Sequence, residues 1–140
     1  LYGEKIVIEF ILDNLLLVAV VLVSGGLLVW PLISNKTMGP VVDNDQAIEY
    51  INRKNAFVLD VRSPKEFKRG AIAGSKNIPF ENFEARLEEC PKDRPIIVVD
   101  TVHTFSHKAA TLLRKKGYKD VFVLTDGIKG WVDARLPFTR

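Results

Sequence analysis

Two hydrophobic patterns divide the chain. From residue 10 to residue 33 nearly every side chain is apolar, and residues 15–33 contain no charged side chain. Beyond residue 40 the apolar residues form short runs that alternate with stretches of helical periodicity. An unbroken apolar segment of about 20 residues is what a bilayer-spanning helix requires, whereas short apolar runs between amphipathic helices indicate buried strands. The pattern therefore predicts an N-terminal membrane helix followed by an α/β domain.

These changes in pattern also predict the boundaries of the segments. We expect an N-terminal flank over residues 1–9, a transmembrane helix over 10–33, a linker over 34–40 and a folded domain over 41–140. A cleaved signal peptide would begin with basic residues and end at small ones, whereas this segment begins among acidic residues and ends at Trp-Pro-Leu-Ile. A core helix would carry a polar face, which this segment lacks. We therefore expect a retained single-pass anchor in the lipid bilayer.

The charges around the anchor predict its orientation. The N-terminal flank is net acidic, whereas Lys36, Arg53 and Lys54 follow the apolar segment. Lys and Arg are enriched on the cytoplasmic side of membrane helices, so the folded domain is expected in the cytoplasm. The single cysteine, Cys90, cannot form an internal disulfide, which agrees with a reducing compartment. The net charge is +3, but the Lys and Arg residues are scattered along the chain and form no basic stripe, so we expect no nucleic-acid partner.

Strands and helices alternate through residues 41–140. We predict strands over residues 56–60, 96–99 and 121–124, each of them almost entirely apolar. Asp43 is expected to cap one helix, and Ser63 with Glu66 to cap another. Apolar strands between helices are typical of a parallel sheet that is covered on both faces. In such sheets the site lies beyond the carboxyl ends of the strands, where Asp60 and Asp100 stand.

The stretch after the central strand is the candidate site. Asp100 ends the strand, a brief polar loop follows, and Ser106 leads a helix that stops at Gly117. Such a loop directs backbone N–H groups and the positive end of the helix dipole towards one point, as in anion sites. The stretch is therefore predicted to bind an anion or another ligand. Its residues are Asp100, Thr101, Val102, His103, Thr104, Phe105 and Ser106.

Several short motifs follow one another in the folded domain. They read Val58-Leu59-Asp60-Val61-Arg62, Glu66-Phe67, Gly70-Ala71-Ile72-Ala73-Gly74-Ser75, Asn77-Ile78-Pro79, Gly127-Ile128-Lys129-Gly130-Trp131 and Leu136-Pro137. In this order and spacing they resemble the rhodanese-like family of single-domain sulfurtransferases. With its anchor, the chain is similar to small membrane-bound members from Gram-negative bacteria. The resemblance implies an α/β rhodanese-like domain, with a central parallel sheet flanked by helices, behind one transmembrane helix at the bacterial inner membrane.

The resemblance also implies a cysteine that is missing here. Active members carry Cys-x-x-Gly-x-x-Ser-x-x-Ala after the central strand, and the cysteine carries sulfane sulfur as a persulfide. Ser106 and Ala109 match that pattern, whereas Asp100 stands at the cysteine and His103 at the glycine. A carboxylate cannot form and release an S–S bond. We therefore expect a binding or regulatory module without sulfurtransferase activity, whose partner is a membrane protein or a peptide.

Two alternatives to this interpretation stay open. The first is sulfur transfer through Cys90 or by an unidentified mechanism. Cys90 lies at a helix C-terminus among acidic residues, where the pKa of a thiol rises, so we expect a surface or partly packed thiol without a catalytic role. The second is a structural role through self-association of the anchor, in which Gly25 and Gly26 allow close helix approach.

Other polar residues near the predicted site are expected to serve structure. His103 in the loop and His107 in the first turn of the helix lie near Asp100, but they need not point the same way and a third ligand would be strained, so we expect no metal. No cofactor motif is present, and we expect no cofactor. Asp60 and Arg62 are expected to brace the end of their strand rather than to take part in chemistry.

Overall fold

The chain forms two compact units, Leu1–Met38 and Gly39–Arg140. The structure is a computed structural model that describes residues 2–101 and 103–140, with side chains at all of these positions except 34–38, 103 and 104. The N-terminal unit is helical, and the second unit is the α/β domain.

Two helices make up the N-terminal unit, α1 (Tyr2–Asp13) and α2 (Leu15–Met38). Asn14 separates them, and its side-chain Nδ2 donates a hydrogen bond to the Phe10 carbonyl at 2.9 Å. Within α2, the segment Leu15–Ile33 is long and apolar enough to cross a membrane, and none of its side chains is buried. This exposure distinguishes α2 from the core helix of a soluble protein, in which the apolar face is covered.

The single helix predicted over residues 10–33 is instead divided at Asn14, and together the two helices extend beyond the predicted bounds at both ends. Residues 2–9, expected as a flank, belong to α1, and residues 34–38, expected as linker, continue α2. Nothing in residues 34–38 prevents a helix, because they include neither Gly nor Pro. The chain leaves the helix only at Gly39, whose φ of 74° is left-handed, and Pro40 cannot continue it. The predicted linker therefore shrinks to these two residues.

A parallel sheet of five strands forms the centre of the α/β domain. Its spatial order is β1 (Val41–Val42), β6 (Val121–Leu124), β5 (Ile96–Val99), β2 (Phe57–Asp60) and β4 (Lys76–Asn77). A separate antiparallel ladder pairs β3 (Ala71–Ile72) with β7 (Phe138–Thr139). In the main sheet Asp60 lies opposite Val99, so the carboxyl ends of β2 and β5 are neighbours.

Five helices connect the strands in the described part of the domain, and two of them begin at the caps that the sequence predicts. The five helices are α3 (Asn44–Lys54), α4 (Pro64–Arg69), α5 (Phe83–Arg86), α6 (His103–Lys115) and α7 (Gly127–Asp133). Asp43 and Gln46 form a capping box at α3, and Ser63 and Glu66 form another at α4, as predicted. The single helix expected over residues 81–89 is instead α5 between two 3₁₀ turns, Phe80–Asn82 and Leu87–Glu89.

Side chains cover the sheet on both faces. One cluster includes Leu59, Val98 and Leu113, and the opposite cluster includes Val99 and Trp131. Consecutive residues of β5 alternate between the two clusters and are all buried, as expected for a central parallel strand. The prediction of an α/β domain with a parallel sheet flanked by helices is therefore confirmed.

Candidate functional site

The end of β2 is held by a buried ion pair between Asp60 and Arg62. Asp60 is 0% exposed and Arg62 8%. The Arg62 Nε donates to both carboxylate oxygens at 3.0 Å, and its Nη2 donates to Oδ2 at 2.7 Å. The Arg62 backbone N–H also donates to Oδ1 at 3.0 Å, and Nη2 donates to the Gly70 carbonyl at 2.8 Å. The pair thus joins the turn after β2 to the residue before β3.

Asn77 reinforces the same turn, a role that sequence reasoning missed. Its Nδ2 donates to the carbonyls of Asp60 and Arg62, at 3.0 and 2.9 Å. Its position in the Asn77-Ile78-Pro79 motif was the available signal. Carbonyl groups at the end of a strand have lost their partners in the sheet and need such donors, because an unpaired buried carbonyl is destabilising.

Asp100 directly follows β5 and is only 5% exposed. Its Oδ1 accepts the Thr101 backbone N–H at 2.7 Å, whereas its Oδ2 is buried without a hydrogen-bond partner in the described part of the chain. Burial raises the pKa of the Asp100 carboxyl, and the charges of Asp60 and Glu66 raise it further. The backbone N–H groups of Thr101 and Phe105 act in the opposite direction.

The loop after Asp100 is shorter than predicted. Helix α6 begins at His103, so the backbone of residues 103–106 is helical rather than loop-like. The family pattern has glycine where His103 stands, and a stretch without glycine or proline does not interrupt a helix. Ser106 is buried within α6, and Thr101 is exposed. Val102 lies outside the described residues, and for His103 and Thr104 the backbone alone is described.

A pocket of about 390 Å³ opens beside Asp100 at the carboxyl ends of β2 and β5. The rings of Phe80 and Phe105 contribute to its wall, with their centroids 5.0 Å apart. Its lining residues are Val61, Arg62, Ser63, Pro64, Glu66, Pro79, Phe80, Glu81, Asp100, Thr101 and Phe105. The described lining residues include three with carboxyl groups, Glu66, Glu81 and Asp100, and one with a guanidinium, Arg62, which already pairs with Asp60. The pocket is consequently electronegative whenever the carboxyl groups are ionised.

Cys90 is a core residue at the other end of β5. It is 3% exposed, and the Tyr118 hydroxyl donates to its backbone carbonyl at 2.8 Å. The pKa of the Cys90 thiol is raised to about 11, mainly by burial; Lys76 lowers it and Glu89 raises it by smaller amounts. The predicted direction is correct, but burial rather than the helix dipole is the main cause. Cys90 precedes β5 and does not line the pocket of Asp100.

Metal binding finds no support among the described side chains, where no three His, Cys, Asp or Glu residues come together as a possible ligand set. Asp100 has other carboxylates as its charged neighbours, and the structure brings it together with Thr101 and Phe105 at the pocket. Cys90 stays apart from this group.

Comparison with known proteins agrees with the fold. The model of the rhodanese-like domain family matches residues 43–134. YibN of Escherichia coli strain K12 is 39% identical over 104 residues, which cover 71% of this chain and 72% of YibN. The thiosulfate sulfurtransferase GlpE of Shewanella oneidensis is 30% identical over 90 residues, which cover 64% of this chain and 89% of GlpE.

Solved structures lead to the same family. The crystal structure of a rhodanese-related protein from Thermoplasma volcanium superimposes with a TM-score of 0.66 at 26% sequence identity. The match covers 72% of this chain and 98% of that one. The α/β topology, the order of the motifs and the family model agree with one another. The chain therefore belongs to the rhodanese-like domain family.

Proposed function

We propose that this protein is a membrane-anchored rhodanese-like domain without sulfurtransferase activity, a binding or regulatory module at the cytoplasmic face of the bacterial inner membrane. One observation carries the proposal. Asp100 occupies the end of the central strand beside the pocket, and the chain's only thiol, Cys90, is buried before that strand. In active members of the family, by resemblance, the cysteine stands at the position of Asp100.

The chemistry of sulfur transfer explains why this substitution matters. A thiolate attacks the sulfane sulfur of a donor, keeps that sulfur as a persulfide and passes it to an acceptor. A carboxylate oxygen does not form such a reversible bond to sulfur. A thiol with a pKa of about 11 is ionised in roughly one molecule in 10⁴ at neutral pH. Burial of Cys90 also keeps donor molecules away from it.

The exposed apolar segment Leu15–Ile33 supports the anchor in this proposal. The basic residues Lys36, Arg53 and Lys54 after it support a cytoplasmic domain, because positive residues are retained on that side. Protease treatment of spheroplasts tests the orientation. The domain should resist digestion until the membrane is permeabilised, and digestion in intact spheroplasts would contradict the proposal.

The stretch from Asp100 to Ser106 is proposed as the ligand-binding part of the module. Asp100, Thr101 and Phe105 line the pocket, where a partner protein or peptide at the membrane can reach them. The exposed carboxylates Glu66 and Glu81 line the same pocket, and their charge opposes the anion expected from the loop pattern alone.

Transfer of sulfur from thiosulfate to cyanide tests the proposal. The full-length protein in detergent micelles should form no thiocyanate, and neither should Cys90→Ser. Asp100→Cys should gain activity, because the backbone N–H groups of Thr101 and Phe105 favour an anion at position 100. Activity of the native chain would contradict the proposal.

A second candidate function is sulfurtransferase activity, and the likeness to GlpE of Shewanella oneidensis favours it, since that relative is named a thiosulfate sulfurtransferase. In that case the native chain would be active. Loss of the activity in Cys90→Ser would then assign it to Cys90, and its persistence would assign it to a mechanism without a thiol.

A further inference from the structure

We propose that the pocket beside Asp100 binds an alkylammonium group, such as a lysine side chain carries, with Asp100 as its counter-ion. The inference rests on the proposed function, because it requires Asp100 to act in recognition at the position where active relatives act in catalysis. Beyond the proposed function, it specifies the chemical class of the ligand group that the pocket recognises. The pocket volume of about 390 Å³ lies in the range of small-ligand sites.

The unpaired oxygen of Asp100 is the first observation. Asp100 is only 5% exposed and lines the pocket; the Phe105 backbone N–H acts on its carboxyl, but Oδ2 has no partner at hydrogen-bond geometry among the described residues. Its Oδ1 already accepts the Thr101 backbone N–H at 2.7 Å. A buried acceptor without a donor is destabilising, so such atoms in native proteins call for a partner. A cation bound in the pocket beside Asp100 would place a positive charge next to this carboxylate and offset the missing donor.

The charge of the pocket is the second, independent observation. Glu66 and Glu81 line it together with Asp100, and both glutamates are exposed to solvent. Among the described lining residues Arg62 carries the one cationic side chain, and its guanidinium is bound to Asp60 and to the Gly70 carbonyl. Its charge is therefore largely offset, and the field in the pocket favours a positively charged ligand.

The geometry favours an ammonium over other cations. A guanidinium binds carboxylates best through two free oxygens, and one Asp100 oxygen is already engaged by Thr101. A metal ion would require a convergent set of ligands, and the described side chains provide none of three or more. The rings of Phe80 and Phe105 suit an alkyl stem and the ammonium at its end. Lys108 already places its Nζ 6.0 Å from the centroid of the Phe105 ring.

Titration of the full-length protein in zwitterionic micelles tests the proposal by NMR. The probe is N-acetyl-lysine methylamide, and the reporters are the backbone amide signals of Thr101 and Phe105, whose N–H groups act on the Asp100 carboxyl. Saturable shifts in the millimolar range are expected. The uncharged norleucine analogue should bind at least about tenfold more weakly, and the arginine analogue more weakly than lysine. Equal binding of norleucine, tighter binding of arginine or no saturable shift would overturn the proposal.

A small free amine and a lysine side chain of a protein both carry an alkylammonium group. Comparing the affinity of n-butylammonium with that of the lysine derivative distinguishes these two sources. Tighter binding of the lysine derivative supports a polypeptide partner, and equal binding supports a small amine. Both results uphold an ammonium site.

Three variants assign the binding to the pocket. Asp100→Asn keeps the side-chain size, removes the charge and should weaken lysine binding at least about tenfold. Glu81→Gln, on an exposed side chain, tests the site without a buried change and should weaken binding about two- to threefold. Asp93→Asn removes an equal charge from the exposed loop before β5 and should leave binding unchanged. Native affinity in both pocket variants would overturn the proposal.

The same samples separate this inference from the proposed function. A native chain that neither transfers sulfur nor binds lysine overturns the ammonium site alone. A native chain that transfers sulfur to cyanide overturns the proposed function, whatever the lysine titration shows.

Discussion

Replacement of Arg62 by methionine should destabilise the α/β domain strongly. Asp60 is 0% exposed, and the Arg62 guanidinium satisfies both of its oxygens while binding the Gly70 carbonyl. In Arg62→Met the Asp60 carboxylate stays buried and loses the guanidinium; of the hydrogen bonds that residue 62 donates to it, the one from the backbone N–H remains. Removal of one partner from a buried ion pair costs about 3–5 kcal/mol. The free energy of unfolding should fall by that amount.

Thermal unfolding followed by tryptophan fluorescence measures this loss. Trp131 is buried in the domain, and Trp30 lies in the anchor, so the measurement uses a Trp30→Phe background. A loss of about 3 kcal/mol lowers the Tm of a domain of this size by roughly 12 °C or more.

An exposed ion pair provides the matched control. Arg53 lies 3.3 Å from Glu49, with side chains 78% and 62% exposed, so Arg53→Met should cost less than about 1 kcal/mol. Combining Arg62→Met with Asp60→Asn should recover part of the loss, because no buried charge then remains. The reasoning fails if Arg62→Met costs no more than Arg53→Met.

Three further results are expected. Burial raises the pKa of Asp100, so the folded state retains that proton to higher pH than the unfolded state, and ionisation of Asp100 weakens the fold above its folded pKa. Asp100→Asn should therefore stabilise the protein in urea unfolding at neutral pH, and this advantage should disappear below about pH 3.8. A pH-independent difference in stability would refute this. In the same assay, Gly127→Ala should lower the free energy of unfolding by about 1–3 kcal/mol more than Gly74→Ala does. Both glycines have positive φ, but a Cβ at position 127 would lie 2.5 Å from the Asp100 carbonyl oxygen, whereas one at position 74 has no atom within 4 Å. Equal losses would contradict the close approach of Asp100 to the start of α7. Cys90 should resist maleimide in the native protein and react once the domain unfolds, as its burial and raised pKa require; rapid native labelling would contradict its place in the core.

The sequence could predict elements that depend on local chemistry. The strands β5 and β6 have the bounds expected from their apolar runs, because a central parallel strand is apolar on both faces. The caps at Asp43 and Ser63 were predictable too, since each needs only a side chain three positions ahead to complete it. The family resemblance was carried by motifs whose order the fold preserves.

Other features depend on contacts that a linear pattern does not contain. The start of α6 at His103 and the continuation of α2 to Met38 result from stretches in which helix and loop are both compatible with the residues. The burial of Cys90 follows from tertiary packing around Tyr118, which lies far along the chain. The unpaired Oδ2 of Asp100 and the carboxylates around it become visible only when the strand ends are assembled.

Intact-protein mass spectrometry after incubation with thiosulfate tests the central claim most directly. The claim is that no residue of the native chain carries sulfane sulfur, because Asp100 stands where a thiol is required and Cys90 is buried. The native protein and Cys90→Ser should keep their masses, while Asp100→Cys should gain one sulfur atom that cyanide removes. A cyanide-labile sulfur on the native protein, absent from Cys90→Ser, would contradict the claim and make Cys90 the carrier.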